Sequence, residues 1–203
     1  MIRKASTKSI RRTEPARARR FVLRITLRHI EPTIWREITV PDSYSLLQLH
    51  RCIQLVFGWL DYHLFEFEIG ARRFEAPHPE AEGERADSVR LRDLDLSGKA
   101  SFSYIYDMGD YWEHEIGVRG IATDSAADRP DSCAYLVGGA RAAPPEDIGG
   151  PSGYEQALAA FAQRARGDVE DLVEWLGPGF DPELFDLRAG NHALILATAW
   201  GLI

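Results

Sequence analysis

The sequence is poor in cysteine and contains no long apolar run. Its two cysteines, Cys52 and Cys133, are too few for a disulfide framework or a four-cysteine zinc site. No apolar stretch reaches the roughly 18–20 residues that a membrane-spanning helix requires, so we expect a cytoplasmic protein without a membrane partner. The H-E-x-x-H, G-x-S-x-G and G-x-G-x-x-G signatures and the phosphate-binding loop are also missing. These absences exclude a transmembrane protein and the enzyme classes that those signatures identify.

The net charge of −7 is unevenly distributed along the 203 residues. Residues 1–20 carry eight basic side chains and one acidic side chain, whereas residues 21–203 carry 16 basic and 30 acidic side chains. We therefore expect a basic, disordered arm (1–20) on a single acidic domain (21–203). Lysine and arginine displace counterions from phosphates, so the arm suits a nucleic-acid partner; a solvated tail without a partner is the simpler interpretation. The acidic domain itself repels phosphate.

Alternating apolar residues and helix-start signals predict an α+β fold. Strands are expected at 21–30, 33–40, 63–70 and 71–76, and a hairpin is expected within 100–121. One long helix begins at a capping box formed by Ser45 and Gln48 and ends at Gly58. Its apolar face comprises Leu46, Leu49, Cys52, Ile53, Val56 and Leu60. We expect an antiparallel or mixed sheet with this one long helix packed on it, followed by C-terminal helices.

The domain divides by composition into a sheet-plus-helix part (21–121), a loop (122–153) and a helical part (154–203). The loop is rich in glycine and proline, with four prolines and five glycines between residues 130 and 153, which are too many for regular structure. The helical part contains four expected helices. Their start signals are the capping box Ser152 with Glu155, then Asp168, Asp181 with Pro182, and Asn191. The last helix is apolar on nearly every face, so we expect it to be buried.

The first candidate site is the hairpin turn at Met108 and Gly109. A two-residue turn there, with a positive φ at Gly109, places Asp107 opposite Asp110. Like charges in that position repel, so either both carboxylates accept backbone amides or a cation lies between them. Arg141 is one candidate cation and a metal ion is the other. Together with His114, the two aspartates would suit a divalent ion, whereas the simpler interpretation is a shaped turn beside a half-buried histidine.

Two further features of the sequence accompany this turn. Four aromatic side chains of the hairpin form a candidate binding surface: Tyr104, Tyr106, Tyr111 and Trp112. The string P-P-E-D presents Glu146 and Asp147 from a stiff loop, which suits acid–base work, ion binding or the capping of a helix. His63 is an alternative proton carrier if it approaches the hairpin. Apart from a divalent cation, no cofactor is predicted, and the identity of a metal is open.

Four strings, in order, resemble a known family. They are EPTIWREITVP, LQLHRCIQLVFGWLDYHLFEFEIG, YDMGDYWEHEI and ARAAPPEDIGGPSGY. They resemble the plasmid pRiA4b ORF-3-like family, whose members are also carried as passenger proteins of some insertion elements. The match runs from about Leu23 into the C-terminal helices. The resemblance implies an α+β fold and no established biochemical function. Relatives often carry cysteines beside P-P-E-D, where this sequence has Ala143 and Ile148, so it does not imply a cysteine-bound metal here.

Three functions are compatible with these observations. The first is an accessory or binding module associated with a mobile element or plasmid, without chemistry of its own, whose partner is nucleic acid through the arm or another protein. The second is a metal-dependent hydrolase or nuclease that uses Asp107, Asp110 and His114, with Glu146 or Asp147 as base. This alternative requires the P-P-E-D loop to fold against the hairpin turn. The third is a purely structural domain in which both clusters only shape turns.

Overall fold

The computed structural model describes residues 19–96, 101–123, 133–163, 176–177 and 179–203, and these contain one mixed sheet of eight strands. The strands are β1 (Arg19–Leu27), β2 (Trp35–Pro41), β3 (Phe65–Ile69), β4 (Arg72–Glu75), β5 (Glu84–Arg85), β6 (Ser101–Tyr106), β7 (Trp112–Thr123) and β8 (Tyr135–Ala140). Their order is β5-β4-β3-β6-β7-β1-β2-β8. Every neighbouring pair is antiparallel except β4 with β5. The arm lies outside the described residues, apart from the two arginines that begin β1.

Three α-helices accompany the sheet in the described part of the chain. They are α1 (Leu46–Phe57), α2 (Gly150–Gln163) and α3 (Leu187–Ala199), and a short 3₁₀ turn covers Leu91–Asp93. The apolar face of α1 joins the same buried cluster as the inward residues Leu23 and Ile25 of β1. The α+β class is therefore confirmed. No helix among the described residues is long and apolar enough to cross a bilayer.

The prediction for α1 is confirmed at both ends. The Ser45 hydroxyl accepts from the Gln48 amide at 3.2 Å, and the Gln48 side chain accepts from the Ser45 amide at 2.9 Å. Gly58 ends the helix in the left-handed conformation at φ 79°. The prediction that Leu60 lies on the buried face of this helix is wrong. The helix has ended before Leu60, and Leu60 is 63% exposed. Phe57 is buried at the end of the helix instead.

The predicted glycine-rich loop contains a strand, contrary to expectation. β8 pairs with β2, and its glycines are used for close packing rather than for turns. A Cβ at Gly139 would collide with the ring of Phe185, and one at Gly138 would lie 3.4 Å from the Trp35 indole. Small residues therefore let neighbouring aromatic rings approach this edge strand.

The starts of the C-terminal helices also differ from the predictions. α2 begins at Gly150, so Ser152 lies inside its first turn, where its hydroxyl faces the Gly149 carbonyl at 3.5 Å instead of forming a capping box. Asp181 and Pro182 form a turn rather than a helix, closed by the Leu184 amide on the Asp181 carbonyl at 3.0 Å. The helix expected from Asp168 to Gly177 lies outside the described residues except at its end, where Leu176 is helical and Gly177 has a left-handed φ of 82°.

The last helix, α3, is neither capped nor buried as expected. Its N-cap is Asp186, whose carboxylate accepts from the Arg188 and Ala189 amides at 2.9 Å. Asn191 lies within the helix and exchanges two hydrogen bonds with the backbone of Leu136 in β8, at 3.0 and 2.9 Å. Because one face of α3 packs on β8 and α1, only Leu194 and Ala197 are buried. Its other apolar residues, Ile195 and Leu196 among them, face outward.

Candidate functional site

The hairpin that carries the first candidate site pairs one residue out of the predicted register. Tyr106 lies opposite Trp112 and Tyr104 opposite His114, so the connection is the five residues 107–111 rather than a two-residue turn. The Asp107 carboxylate accepts from the Gly109 amide at 2.8 Å, an Asx-turn, and the Asp107 carbonyl accepts from the Tyr111 amide at 2.7 Å. The positive φ angles fall at Asp107 and Tyr111, not at Gly109. Asp107 and Asp110 therefore do not oppose each other across the strands.

The shifted register buries most of the predicted aromatic surface. Tyr104, Tyr106 and Trp112 are fully buried on the core face of the sheet, so the prediction that they form a surface is wrong; Tyr111 alone of the four is exposed. His114 is buried beside them, and its ring packs edge-on against Phe57. Burial lowers the pKa of His114 to about 3. The structure thus places His114 in the core and not beside the aspartates.

The P-P-E-D loop folds against the hairpin turn, as the metal hypothesis requires. The Asp110 carboxylate accepts from the Gly149 amide at 3.2 Å. Gly150 has a φ of 67°, and a Cβ there would collide with the Asp110 carbonyl. Glycine is needed at this position for two reasons. It adopts the left-handed backbone, and it lets the P-P-E-D loop approach the hairpin turn closely.

The same loop is fastened to the segment that follows α1. The Trp59 indole donates to the Pro144 carbonyl at 2.9 Å. One Glu146 oxygen accepts from the Leu60 amide at 2.8 Å, and the other accepts from the Tyr106 hydroxyl. Burial and this carboxylate raise the pKa of Tyr106 above its ordinary value. Glu146 therefore ties the loop to the sheet and to the segment after α1.

These contacts bring three ligand-forming side chains together. The His63 Nε2 atom lies 3.1 Å from Asp147 Oδ1 and 3.6 Å from Asp107 Oδ2. One donor atom of each residue lies within 4.8 Å of the other two. Two ligands bound to one ion at about 2.1 Å, at angles between 90° and 110°, stand roughly 3.0–3.4 Å apart. The two histidine–carboxylate spacings are close to that range.

The nitrogen of this cluster lies within 4 Å of both carboxylates. His63 Nε2 is buried and makes no hydrogen bond within the part of the chain that the structure describes, although Asp147 is near. A buried polar atom normally has a partner, and the nearest charged groups to this one are the two carboxylates. Asp107 and Asp147 both hold left-handed backbone angles, φ 60° and 57°, which aspartate tolerates better than most residues. Asp147 is 58% exposed and Asp107 10%, so the cluster opens to solvent on the Asp147 side.

The rim of the cluster is apolar. Leu64 and Met108 are about half exposed, and Tyr62 and Tyr111 are more so. The Leu64 carbonyl accepts from the Asp107 amide at 2.9 Å, so this side of the rim adjoins the cluster directly. Exposed apolar side chains around a polar centre are typical of a surface that contacts a partner or ligand.

Arg141 does not lie between the aspartates. Its guanidinium pairs with Glu183, and its carbonyl accepts from the Arg36 guanidinium at 2.9 Å. Arg36 is buried and also donates to the Val56 carbonyl at 2.9 Å. Arg141 therefore belongs to the packing between β8 and the C-terminal segment rather than to the cluster.

A ring of hydrogen bonds, buried except at Asp61, positions the segment that carries His63, and the sequence did not predict it. The Asp61 amide donates to Gln54 at 3.1 Å, and Gln54 donates to the Tyr104 hydroxyl at 3.1 Å. The Tyr104 hydroxyl lies 2.8 Å from His50 Nδ1, and His50 Nε2 lies 2.7 Å from the Asp61 carboxylate. With the proton on Nε2, every donor in the ring faces an acceptor. Desolvation lowers the pKa of His50, which favours this neutral form.

Fold and site together define an α+β protein with a histidine–aspartate cluster where a hairpin turn, a glycine–proline loop and the end of the long helix meet. The chain belongs to the plasmid pRiA4b ORF-3-like protein family, which it matches over residues 19–189. It is 34% identical over 183 residues to the "Uncharacterized protein y4hQ" of Sinorhizobium fredii, covering 88% of this chain and 92% of the relative. The crystal structure of the "Protein of Unknown Function MM3350" from Methanosarcina mazei Go1 is similar, with 35% identity and a TM-score of 0.75 over 84% of this chain and 97% of that chain.

Proposed function

We propose that the protein is a binding module that holds a divalent cation through His63, Asp107 and Asp147. The observation that carries this proposal is the convergence of three ligand atoms within 4.8 Å, one of them a buried nitrogen without a hydrogen bond. Removing a polar atom from water without a partner costs about 1–3 kcal/mol, and an ion at the centre offsets that cost. The acidic charge of the domain also favours cation uptake.

The ligand set limits the choice of ion. One imidazole with two carboxylates suits zinc, manganese or iron better than calcium, which prefers oxygen alone. Three protein ligands leave at least one coordination position for another group. Because Asp147 is exposed, that position faces solvent and the apolar rim. A partner that offers an oxygen ligand beside an apolar surface would fit there.

The hydrogen bonds of the P-P-E-D loop favour a binding function over a catalytic one. Glu146, one of the two candidate bases for a hydrolase, already accepts from the Leu60 amide and the Tyr106 hydroxyl. Asp147, the other candidate, is one of the three proposed metal ligands, so neither carboxylate is assigned to a base. Hydrolysis of a phosphodiester by the metal-loaded full chain, abolished by Asp147→Asn, would replace the binding module with the hydrolase.

Calorimetric titration of the full chain with Zn²⁺ and Mn²⁺ tests the proposal. We expect one ion per chain, and we expect His63→Ala and Asp147→Asn to weaken its binding at least tenfold. Asp93→Asn, an exposed aspartate on the 3₁₀ turn, is the matched control and should leave affinity unchanged. Equal affinity in Asp147→Asn and in the control would overturn the proposal.

We further propose that any contact with DNA is made by the basic arm, in keeping with an accessory role in DNA transactions. The support is its charge, since residues 1–20 carry eight basic side chains on an otherwise acidic chain. Fluorescence anisotropy with duplex DNA over a salt series compares the full chain with a version that lacks residues 1–20. Loss of binding with the arm supports this role, and binding that survives its removal assigns the DNA site to the domain.

A further inference from the structure

The outer face of the sheet contains a polar cavity far from the histidine–aspartate cluster. Along β1, Arg24 and Thr26 alternate with the buried Leu23 and Ile25, so their side chains lie on the face opposite the core. A cavity of about 340 Å³ opens there. Its polar and charged lining comprises Arg24, Thr26, Ser101, Glu115 and Arg119. Such a volume is at the lower end of the range for small-molecule sites.

The cavity exists because its floor is a glycine. Gly117 of β7 lies between two strands, opposite Arg24 of β1 and opposite Ser101 of β6. A Cβ added at Gly117 would have a single neighbour within 4 Å, the Arg24 carbonyl at 4.0 Å. The backbone conformation of Gly117 is not the left-handed one, so this residue is not required for a turn. Its missing side chain leaves space between the side chains of the flanking strands.

The two arginines of this cavity have no carboxylate partner among the described residues. Neither Arg24 nor Arg119 forms an ion pair within 4.0 Å there. The guanidinium of Arg24 stacks on the Trp35 ring at 3.8 Å, which fixes its plane and leaves its N–H edges available. Glu115, the acid of the lining, is paired with Arg28 at 3.2 Å. Glu37 of β2 lies opposite Arg24 across the strands but forms no ion pair with it within 4.0 Å, so both guanidiniums can still donate to an anion.

We propose that this cavity binds the phosphate group of a small ligand. Two guanidiniums supply charged donors, and the hydroxyls of Thr26 and Ser101 supply neutral ones, a combination suited to an oxyanion with several acceptor oxygens. The cavity is independent of the proposed metal site. Ser101 begins β6 and Asp107 follows its last residue, so the two lie about 20 Å apart at 3.3 Å per residue.

The test is a calorimetric titration of the full chain with inorganic phosphate at constant ionic strength. Gly117→Val fills the cavity, and Gly120→Val makes the same change in β7 at a position that is also open. Arg119→Gln removes one guanidinium from an exposed residue, so it decides the outcome if Gly117→Val does not fold. We expect binding with a Kd below about 1 mM, weakened at least tenfold by Gly117→Val and by Arg119→Gln and unchanged by Gly120→Val.

Three results would overturn this assignment. They are the absence of phosphate binding by the unaltered chain, equal binding by the unaltered chain and by Arg119→Gln, and loss of binding in the Gly120→Val control. A single-stranded oligonucleotide distinguishes a nucleic-acid phosphate from that of a small ligand. If only the oligonucleotide binds, and Arg119→Gln weakens it, the cavity is a nucleic-acid contact and the small-ligand proposal is wrong.

Discussion

The imidazole of His63 lies 3.1 Å from the carboxylate of Asp147, yet its Nε2 atom makes no hydrogen bond within the described part of the chain. The same nitrogen lies 3.6 Å from Asp107 Oδ2, so it borders the space between the two carboxylates. That space lies where three separate segments meet. The arrangement therefore depends on the contacts that hold the P-P-E-D loop against the sheet.

The first prediction concerns the bond between Tyr106 and Glu146, which joins this loop to the sheet. Glu146→Gln should lower the free energy of unfolding by about 1–3 kcal/mol, because the buried Tyr106 hydroxyl loses a charged acceptor. Tyr106→Phe should cost a similar amount, and the double variant should cost less than the sum of both. Urea denaturation of the four proteins gives the coupling energy. Additive effects would show that the bond contributes nothing.

The second prediction concerns pH and the buried His114. Its folded pKa is about 3, below the ordinary value of about 6.5, so between these values the unfolded chain binds a proton that the folded chain does not. With respect to His114, the free energy of unfolding is therefore at its maximum above about pH 6.5, and it decreases as pH falls toward 3. From pH 6.5 to 5 this histidine alone should lower the free energy of unfolding by about 1.5 kcal/mol.

Urea denaturation at several pH values measures this slope. His114→Phe keeps a buried ring and removes the titrating group, so the difference in stability between the two proteins should change by that amount over the same interval. The desolvated His50 adds to the slope in the same direction and is present in both proteins, so it cancels from the difference. Parallel pH profiles would contradict the burial of a neutral His114.

The third prediction separates backbone strain from close approach at Gly150. Gly150 and Gly70 have similar left-handed backbones, φ 67° and 62°, but only at Gly150 would a Cβ collide with a neighbour, the Asp110 carbonyl. Gly70→Ala should cost about 1–2 kcal/mol from its conformation alone. Gly150→Ala should cost at least about 1 kcal/mol more, and it should also weaken metal binding. Equal losses would show that the loop yields freely at this contact.

The sequence predicted those elements whose signals are local. The capping box at Ser45 and the glycine stop at Gly58 both act within one helical turn, and both were found. The register of the β6–β7 hairpin was missed by one residue, because the Asp107 side chain closes the turn instead of Gly109. With a side-chain period of two, that single residue placed Tyr104 and Tyr106 on the same face as Trp112 and His114, which is the core face.

The candidate site was predicted only in part, because its residues are brought together by contacts that are not local in the sequence. The sequence predicted Asp107, Asp110 and His114 as ligands and Glu146 or Asp147 as a base. It named His63 only as a proton carrier, on condition that it approach the hairpin. That approach depends on two contacts between separate segments of the chain. His50 contacts the Asp61 carboxylate, and Glu146 accepts from the Leu60 amide. Strand β8 was missed because its partner, β2, is equally distant and its glycines resemble those of a loop. Local sequence patterns do not predict contacts between residues that are distant in the sequence.

The central claim is that His63, Asp107 and Asp147 share one cation. Anomalous diffraction from crystals of the full chain grown with Mn²⁺ tests it most directly, because it locates the ion itself. The account predicts one strong peak about 2.0–2.3 Å from His63 Nε2 and from one oxygen of each aspartate. It also predicts no peak there in crystals of Asp147→Asn. A peak elsewhere with none at this cluster, or a direct hydrogen bond between His63 and Asp147, would contradict it.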